Sequence, residues 1–220
     1  MTDYKAIFGK KIKFLTSDLD NAEGEGEIFY SDTDAKFKTA ISSAAWSAGS
    51  VMSNAKAYRF SAGTQTAALA GGGSPNVVAT EEYDGSGWAA GGDMNTDRNQ
   101  GIGTGTQTAA LAAGGYTTTQ VDNSEEYNGS AWAEGDNLNS ARYSAQVGGG
   151  TQTAAVFARG QSGTNVLDVC EEYDGSSWTE VNSTNTARTD TGFAGTQTAG
   201  MIIGGQPPNV VANVEHYDGT

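Results

Sequence analysis

A repeated tripeptide is the strongest constraint on the fold of this 220-residue chain. Thr-Gln-Thr occurs four times, each time between a glycine and an alanine. The interval between equivalent residues of neighbouring copies varies from 42 residues (Thr64 to Thr106) to 46 residues (Tyr127 to Tyr173). This is the repeat length of four-stranded propeller blades rather than of helical solenoids. The four copies begin at Thr64, Thr106, Thr151 and Thr196.

Further markers accompany each copy. A double glycine follows in copies one, two and four, and Arg159-Gly160 takes its place in copy three. Next comes a short acidic run that ends in a tyrosine and an Asp-Gly or Asn-Gly pair. In the first three copies a tryptophan stands five residues after this tyrosine, and an arginine stands ten residues after the tryptophan. These residues are Tyr83, Tyr127, Tyr173 and Tyr217, then Trp88, Trp132 and Trp178, and then Arg98, Arg142 and Arg188.

Each copy has the pattern of four short β-strands. In copy three the predicted strands are 142–148, 153–158, 165–173 and 177–181, and Asp174-Gly175 favours a tight hairpin before the last one. Alanine-rich strands such as 66–70 suit the place where blades converge on the axis, because only small side chains fit there. The repeated tyrosines and tryptophans, with Trp46, then fill the widening gaps between blades. We predict an all-β fold in which residues 44–220 form a propeller of about four four-stranded blades.

The composition fits a β protein with many turns. Hydrophobic residues make up 37% of the chain and charged residues 17%, so its polarity comes largely from Gly, Ser, Thr, Asn and Gln. The net charge of −14 repels phosphate backbones and anionic membrane surfaces, so nucleic acid is not expected as a partner. Membrane insertion is not expected either, because the chain has no signal peptide and no apolar run of about 20 residues.

The order of the markers predicts how the ring closes. Trp46 has no repeat unit before it, yet Lys56 follows it at the interval of the repeated arginines, and the last unit reaches Thr220 before its own tryptophan. The strand around Trp46 can therefore complete the blade that contains Tyr217, which would hide the edge strands. We predict closure by this strand exchange. The alternatives are a longer natural chain of which this is a fragment, and strand exchange between subunits.

Residues 1–43 differ from the rest, because they are richer in lysine and acidic residues and lack the repeat. The run 11–15 alternates like a strand, and residues 26–38 have the pattern of strand, turn and strand. So few apolar residues cannot hold a core of their own, so we expect this arm to become ordered against a partner. The residues expected to anchor it are Ile28, Phe29, Tyr30 and Phe37.

The sequence offers little for catalysis. The one histidine, His216, occupies the second glutamate position of the repeat, and the one cysteine, Cys170, fits a buried strand position. Adjacent glutamates such as Glu81 and Glu82 point to opposite faces of a strand and cannot share a substrate. We expect one glutamate of each pair to face solvent and the other to bind a repeated arginine.

Metal binding is weakly supported. Residues 93–99 begin like a calcium loop, but Arg98 replaces its glycine and Thr104 its bidentate glutamate. The acidic residues between 18 and 27 fit a solvated turn. We predict no catalytic, cofactor or metal site, and therefore no enzyme.

Residues that differ between copies are the candidates for function, because residues common to all blades serve the packing that all blades share. The loops after the double-glycine strands differ in sequence and length. They should cluster on one rim of the ring, as binding loops on a rigid scaffold do. The candidate binding residues are Pro75, Asn76, Tyr116, Thr118, Gln161, Thr164, Gln206 and Asn209.

The repeat resembles the Kelch family of propeller repeats, whose mark is a double glycine followed by a spaced tyrosine and tryptophan. The resemblance covers residues 46–220 and implies a β-propeller. The spacing from Tyr83 to Trp88 is one residue shorter than in the family pattern, so the chain is Kelch-like.

Two motifs also resemble structural proteins of bacteriophages. The strand Gly26-x-Ile28-x-Tyr30, its polar turn and the following Phe-Lys strand are similar to a hairpin near the N-terminus of phage tail and fibre proteins. The Gly-Thr-Gln-Thr-Ala and Glu-Glu-Tyr-Asp-Gly runs look like repeats in structural proteins of marine phages, cyanobacterial ones in particular. This resemblance implies a non-enzymatic virion component: a fibre, a decoration or a tail-associated appendage.

The same resemblance implies the partners and the location. Residues 1–43 would bind other virion proteins, and the propeller would face outward on the tail, fibre or capsid surface as a homo-oligomer. Adhesion to a host-surface glycan or protein is the expected role. The alternatives are a cellular Kelch-like module that binds another protein, and a propeller enzyme that acts on carbohydrate.

Overall fold

The computed structural model describes residues 2–7, 10–15, 28–31 and 36–39 as strand backbone, and residues 48–144, 148–206 and 210–219 with their side chains. The chain divides into two compact units, Met1–Ala48 and Gly49–Thr220. The described residues form β-strands and no α-helix. Within this described part, no helix is long and apolar enough to cross a membrane.

The first unit contains one four-stranded sheet. Its strands lie side by side in chain order; β1 and β2 are antiparallel, β2 and β3 are parallel, and β3 and β4 are antiparallel. The predicted hairpin corresponds to β3 and β4, in which Tyr30 is the register partner of Phe37. The first strand was not predicted. The strands are β1 (Thr2–Ile7), β2 (Lys10–Leu15), β3 (Ile28–Ser31) and β4 (Lys36–Thr39).

The second unit is a four-bladed β-propeller of antiparallel sheets, one for each copy of the repeat. Blade 1 contains β5 (Phe60–Thr64), β6 (Ala67–Gly71), β7 (Thr80–Tyr83) and β8 (Trp88–Ala90). Blade 2 contains β9 (Ile102–Thr106), β10 (Ala109–Ala113), β11 (Ser124–Tyr127) and β12 (Trp132–Glu134). Blade 3 contains β13 (Gly148–Thr151), β14 (Ala154–Ser162), β15 (Asn165–Tyr173) and β16 (Trp178–Val181). Blade 4 contains β17 (Gly192–Thr196), β18 (Ala199–Ile203) and β19 (Val214–Tyr217).

The first strand of each blade lies next to the first strand of the following blade: β5 next to β9, β9 next to β13, and β13 next to β17. The prediction that the alanine-rich strands converge on the axis is therefore wrong, because those strands are second in their blades. Glycine makes the close approach possible. A Cβ on Gly103 would stand 2.9 Å from the carbonyl oxygen of Ser61, and one on Gly149 would stand 2.8 Å from that of Gly195.

The strands of copy three differ from the prediction in two places, the first strand and the end of the second, which continues to Ser162. The second, third and fourth predicted strands correspond to β14, β15 and β16. The first does not, because Arg142 lies in the segment before the blade and β13 begins at Gly148. The predicted run alternates only loosely, whereas β13 consists of one threonine and three glycines, and glycine is depleted in strands.

The Asp-Gly turns between the third and fourth strands hold themselves by local hydrogen bonds. In blade 1 the carboxylate of Asp84 accepts from the main-chain N of Ser86 (2.8 Å) and of Gly87 (2.9 Å). The Ser86 hydroxyl and these two amides lower the pKa of Asp84 to about 2. Gly85 has the left-handed backbone (φ 93°) that this turn requires. Asp174 makes the same turn in blade 3.

Three apolar clusters fill the gaps, or seams, between neighbouring blades. In the seam between blades 1 and 2, Leu69 and Met94 share a cluster with Tyr127 and Trp132 of the following blade. The other two seams are built in the same way. The seam between blades 2 and 3 contains Ile102, Leu111, Leu138, Phe157, Tyr173 and Trp178. The seam between blades 3 and 4 contains Val156, Ala158, Cys170 and Ile202, with Val181, Phe193 and Tyr217 against them.

The glutamine of each Thr-Gln-Thr turn binds the preceding blade across the seam. Gln107 Nε2 donates to the carbonyl oxygens of Ala68 (3.2 Å) and Tyr83 (2.7 Å). Gln152 and Gln197 donate to the equivalent carbonyls of blades 2 and 3. The repeated tripeptide is therefore a connector between blades, which explains why its glutamine occurs in every copy.

The first glutamate of each acidic pair anchors the segment that leads into its own blade. Glu125 is fully buried and forms an ion pair with Arg98 at 2.6 Å. It also accepts from the main-chain N of Asn95 (2.6 Å) and of Thr96 (3.1 Å). The predicted pairing of one glutamate with the repeated arginine is thus confirmed. The equivalent pairs in blades 3 and 4 are Arg142–Glu171 and Arg188–Glu215. In blade 1 the pair is Arg59–Glu81, so the basic residue there is Arg59 and not Lys56.

The second glutamate of each pair is not a solvent-facing residue, and that part of the prediction is wrong. Glu126 accepts a hydrogen bond from the hydroxyl of Tyr173 at 2.7 Å, and Glu172 accepts one from Tyr217 at 2.9 Å. Glu82 accepts one from Tyr127 in the same way. The two glutamates of a pair therefore have different partners. The first binds the arginine that leads into its own blade, and the second binds the tyrosine of the next blade.

The predicted closure of the ring falls on residues outside the described ones. Residues 40–47, which include Trp46, are not described, so the strand exchange with the Tyr217 blade stays a prediction. Blade 4 accordingly has three described strands.

Candidate binding surface

The candidate loops join the second and third strands of each blade. Pro75, Thr118, Thr164 and Gln206 are exposed there. The half-buried candidates are Asn76, Tyr116 and Gln161, and Asn209 lies outside the described residues. In blade 3 the connection is a two-residue turn between two nine-residue strands, so this loop is a long hairpin. Strand length therefore distinguishes this loop from the others.

Hydrogen bonds connect the loops of blades 1 and 2. The side-chain amide of Asn76 donates to the carbonyl oxygen of Thr117 at 2.6 Å. Asn76 Oδ1 also accepts from the side chain of Asn99, which precedes β9. The main chain of Asn99 in turn pairs with Tyr116 in both directions, at 3.1 and 2.8 Å. The two loops thus form one continuous polar surface.

An aromatic pair connects the loops of blades 2 and 3. The rings of Tyr116 and Tyr143 lie 5.3 Å apart at an angle of 62°. Tyr143 pairs through its main chain with Gln161 of the blade 3 hairpin, at 3.0 and 2.8 Å. Gln120 also donates to the hydroxyl of Ser162 at 3.3 Å. Three of the four predicted loops are therefore in contact.

The loop of blade 4 makes its described contacts within its own blade. The main chain of Gln206 pairs with Thr189 at 3.4 and 3.1 Å. Its side-chain amide donates to the carboxylate of Asp190 at 2.6 Å. This contact adds an acidic group to a surface whose other named side chains are amides, hydroxyls and phenols.

Four further residues belong to this surface and were not predicted: Tyr58, Gln100, Ser144 and Asp190. Each lies two residues after the basic position of its repeat, and each has a left-handed backbone, with φ between 51° and 59°. Gln100 N donates to the carbonyl of Tyr58 (3.0 Å), and Ser144 N donates to that of Gln100 (3.1 Å). These residues link successive blades where the innermost strands begin.

Sequence comparison between the copies could have found these four positions. The basic residue is kept as Lys56, Arg98, Arg142 and Arg188, while the residue two places later is tyrosine, glutamine, serine or aspartate. A left-handed backbone costs a non-glycine residue about 1–2 kcal/mol, and such conformations cluster at binding and switch sites. The side chain of Gln100 donates to Asn99 at 2.9 Å, so these positions are continuous with the loops.

In copy three an arginine, Arg159, stands where the other copies have a glycine. Arg159 keeps the left-handed backbone of its equivalents (φ 68° against 67° at Gly72 and 66° at Gly204). Its buried guanidinium reaches Glu215 of blade 4 at 2.6 Å and the hydroxyl of Thr184 at 3.1 Å. Arg159 thus reinforces the seam between blades 3 and 4, which has the fewest large apolar residues.

Glu215 is the meeting point of this network. Burial acts to raise its pKa, but the main-chain N of Asn185 (2.7 Å) and the guanidinium groups of Arg188 and Arg159 outweigh burial. The pKa of Glu215 is therefore below its ordinary value of 4.5. A lowered carboxyl pKa stabilises the fold above the ordinary value, and this stabilisation is lost as the pH falls through the lowered value.

We expect Glu215→Gln to lower the melting temperature at neutral pH and to have a much smaller effect in acid. Protonation removes the wild-type contribution, whereas glutamine does not titrate, so the two proteins converge as the pH falls below the lowered pKa of Glu215. Thermal unfolding of both across a pH series measures this. Glu180→Gln, at an exposed position of β16, is the control and should change the melting temperature little. A destabilisation by Glu215→Gln that does not change with pH would contradict the assignment.

A cavity of about 260 Å³ lies in the seam between blades 3 and 4. Its lining includes Cys170, Phe193, His216 and Tyr217. The position that Met94 and Leu138 fill in the other seams is taken here by the smaller Thr184, which leaves space. Burial raises the pKa of Cys170 to about 11, so its thiol is protonated at neutral pH and is a poor nucleophile.

Side chains of the calcium-like run 93–99 form hydrogen bonds within the fold. The side chain of Asn95 donates to Glu125 at 3.1 Å, and Asn99 is bound to Asn76. Among the residues that the structure describes, no three His, Cys, Asp or Glu side chains are grouped to hold a metal ion. The acidic run 18–27 lies outside them.

Geometry and repeat together define the class of the protein: a four-bladed β-propeller built from tandem units, with the loops that join the second and third strands at one end of the blades. Comparison with protein-family models gives no match to this chain, and comparison with curated protein sequences gives none either. The class therefore rests on the fold.

Proposed function

We propose that this protein is a non-enzymatic binding scaffold that displays its variable loops for adhesion, and that it is a structural component of a bacteriophage particle. One observation carries the proposal. The side chains common to all copies are used to hold blades together, while the variable loops between the second and third strands lie at one end of the blades, and those of blades 1 to 3 are in contact. Such a division is typical of scaffolds whose rigid frame carries adaptable binding residues.

The chemistry of the loop surface supports binding rather than catalysis. Its tyrosines offer large contact area at low entropic cost, and its asparagines, glutamines and threonines offer adaptable hydrogen bonds. The charged groups that could perform acid–base chemistry are engaged elsewhere: Glu125 is bound to Arg98, and Glu215 is bound to Arg188 and Arg159. A host-surface glycan or protein is the partner that this hydrogen-bonding surface suits.

The phage assignment rests on resemblance. The repeat is Kelch-like, and the hairpin of β3 and β4 is similar to the N-terminal hairpins of tail and fibre proteins. In this proposal residues 1–43 attach the protein to other virion proteins, and Ile28, Phe29, Tyr30 and Phe37 are the anchoring residues. The propeller then faces outward on the tail, the fibre or the capsid.

Loss of binding on changing the loops is the test. We expect a variant with alanine at Pro75, Thr118, Thr164 and Gln206 to bind cells of the host at least about tenfold more weakly, because each of these exposed residues is a candidate contact. Binding of fluorescently labelled protein to cyanobacterial strains, measured by flow cytometry, gives the readout. Equal binding by the variant and the wild type would refute adhesion through the loops.

The chain supplies a matched control at the other end of the same strands. Thr66, Thr108, Thr153 and Thr198 are exposed in the four Thr-Gln-Thr turns. Alanine at these four positions changes the same number of exposed residues, one in each blade, and should leave cell binding unchanged. Immunogold labelling of purified phage particles tests the location separately, and unlabelled particles would refute the virion assignment.

A further inference from the structure

Every described seam joins two different surfaces of the repeat. The preceding blade contributes an aliphatic side chain of its second strand, such as Leu69, and two main-chain carbonyl groups; we call this its carbonyl surface. The following blade contributes a glutamine and a tyrosine, and in blades 2 and 3 also a tryptophan, such as Gln107, Tyr127 and Trp132; we call this its glutamine surface. The two surfaces are complementary, and each blade carries one of each.

The carbonyl surface of blade 4 is exposed. Ile203 is 42% exposed, whereas its equivalent in blade 3, Ala158, is 2% exposed. Val214 is 46% exposed, whereas its equivalent, Cys170, is 3% exposed. Among the residues that the structure describes, nothing covers this apolar surface, which neighbouring copies of the same unit bury.

The glutamine surface of blade 1 is exposed as well. Gln65, the equivalent of Gln107, is exposed. Trp88 is half-buried, whereas Trp132 and Trp178 are 6% and 5% exposed. One chain therefore presents both halves of the interface that joins its own blades.

We infer that the carbonyl surface of blade 4 binds the glutamine surface of blade 1 in a second copy of this chain, in place of the closure within one chain that the sequence predicts. Gly200 and Tyr217 are register partners, as are Ala68 and Tyr83, so their carbonyl groups stand where a glutamine binds in the other seams. Gln65 of the second copy supplies that glutamine. Such an interface is head-to-tail, because two different surfaces meet, and it extends an assembly until the assembly closes on itself.

The acceptor of the tyrosine's hydrogen bond differs between this interface and the other seams. Elsewhere the hydroxyl of the incoming tyrosine donates to the second glutamate, as Tyr173 does to Glu126. In blade 4 that position is His216, and the incoming tyrosine is Tyr83 of the second copy. The hydroxyl of Tyr83 donates to the carbonyl of Gly85 at 3.0 Å within its own chain. A neutral imidazole accepts a hydrogen bond from a phenol as a carboxylate does, so in the complex Tyr83 would exchange Gly85 for His216.

Two variants at exposed positions test this interface without changing the interior of a blade. Ile203→Glu places a charge in the carbonyl surface, and Gln65→Glu sets a carboxylate against two carbonyl oxygens. We expect each to weaken self-association of the full chain about a hundredfold, as measured by sedimentation velocity over a dilution series. Val51→Glu, at a position 89% exposed, adds the same charge outside both surfaces and should associate like the wild type.

Mixing the two variants gives the sharpest result. Ile203→Glu protein keeps an intact glutamine surface, and Gln65→Glu protein keeps an intact carbonyl surface, so the mixture should form a complex of one copy of each although neither variant associates alone. Circular dichroism confirms that both are folded. A wild type that is monomeric at every concentration, or folded variants that form no complex when mixed, would overturn the inference and indicate that the two surfaces meet within one chain.

Discussion

Replacing Glu125 by alanine is expected to lower the free energy of unfolding by about 3–5 kcal/mol, because the change leaves the Arg98 guanidinium buried without a counter-charge. It also removes the acceptor for the main-chain N of Asn95 and of Thr96. The guanidinium keeps the carbonyl oxygens of Gly114 and Asn123, at 2.9 Å each, but the two amides lose their acceptor. Urea denaturation followed by tryptophan fluorescence measures the loss.

The cross-strand neighbour of Glu125 provides the control. Glu134 is its register partner on β12, and it is exposed. Partial burial of its carboxylate and then repulsion from Glu125 raise the pKa of Glu134 against the attraction of Arg98, so removing this carboxylate relieves a net unfavourable interaction. Glu134→Ala should therefore be neutral or slightly stabilising. Equal losses for the two alanine variants would show that the buried ion pair contributes nothing particular.

A double replacement separates the charge from the packing. Arg98→Met with Glu125→Leu removes both charges together, and replacing a buried ion pair by apolar side chains is often neutral or stabilising. We expect the double variant to be more stable than Glu125→Ala alone. A double variant as unstable as the single one would assign the loss to the hydrogen bonds of the Asn95 and Thr96 amides.

The repeat allowed much of the fold to be predicted. A tyrosine and a tryptophan at a fixed spacing, with Asp-Gly between them, indicated a hairpin of the third and fourth strands, and β15 and β16 form it. One glutamate beside a repeated arginine indicated an ion pair, and Arg98 and Glu125 form it. Both are local or periodic features, which a single sequence displays directly.

Features that depend on how blades meet could not be predicted in this way. Glycine and alanine are both small, so the sequence did not reveal that glycine-rich β9 lies nearer the axis than alanine-rich β10. The partner of Glu126 is a tyrosine 47 residues away, and nothing near either residue indicates the bond. The left-handed backbone of Tyr58 likewise has no signature in its own residue type.

The loop surface could be predicted in part. Comparison of the copies located the variable loops, because variability shows in the alignment of the units. It did not reveal which loops meet, since the pairing of Asn76 with Thr117 depends on the angle between blades. The protruding hairpin of blade 3 was hidden for a related reason: Gln161 and Ser162 have loop composition but extend β14.

The second large effect is expected at the tryptophans, and it differs from blade to blade. Trp132 is 6% exposed, and its ring lies 5.8 Å from Phe60 and 5.0 Å from Tyr127. Trp132→Ala should lower the free energy of unfolding by about 3–5 kcal/mol, because it leaves a cavity in a packed seam. Trp88 occupies the same place in blade 1, where its ring lies 5.2 Å from Tyr83, but it is half-buried.

Trp88→Ala should therefore cost clearly less than Trp132→Ala when both are measured by urea denaturation at a concentration too low for self-association. The identical substitution at equivalent positions makes each variant the control of the other, because the residue and its strand position are the same and only the neighbouring blade differs. Raising the protein concentration should increase the cost of Trp88→Ala alone, since a second copy would then bury that side chain. Equal costs for the two variants at every concentration would mean that the glutamine surface of blade 1 is already covered within a single chain.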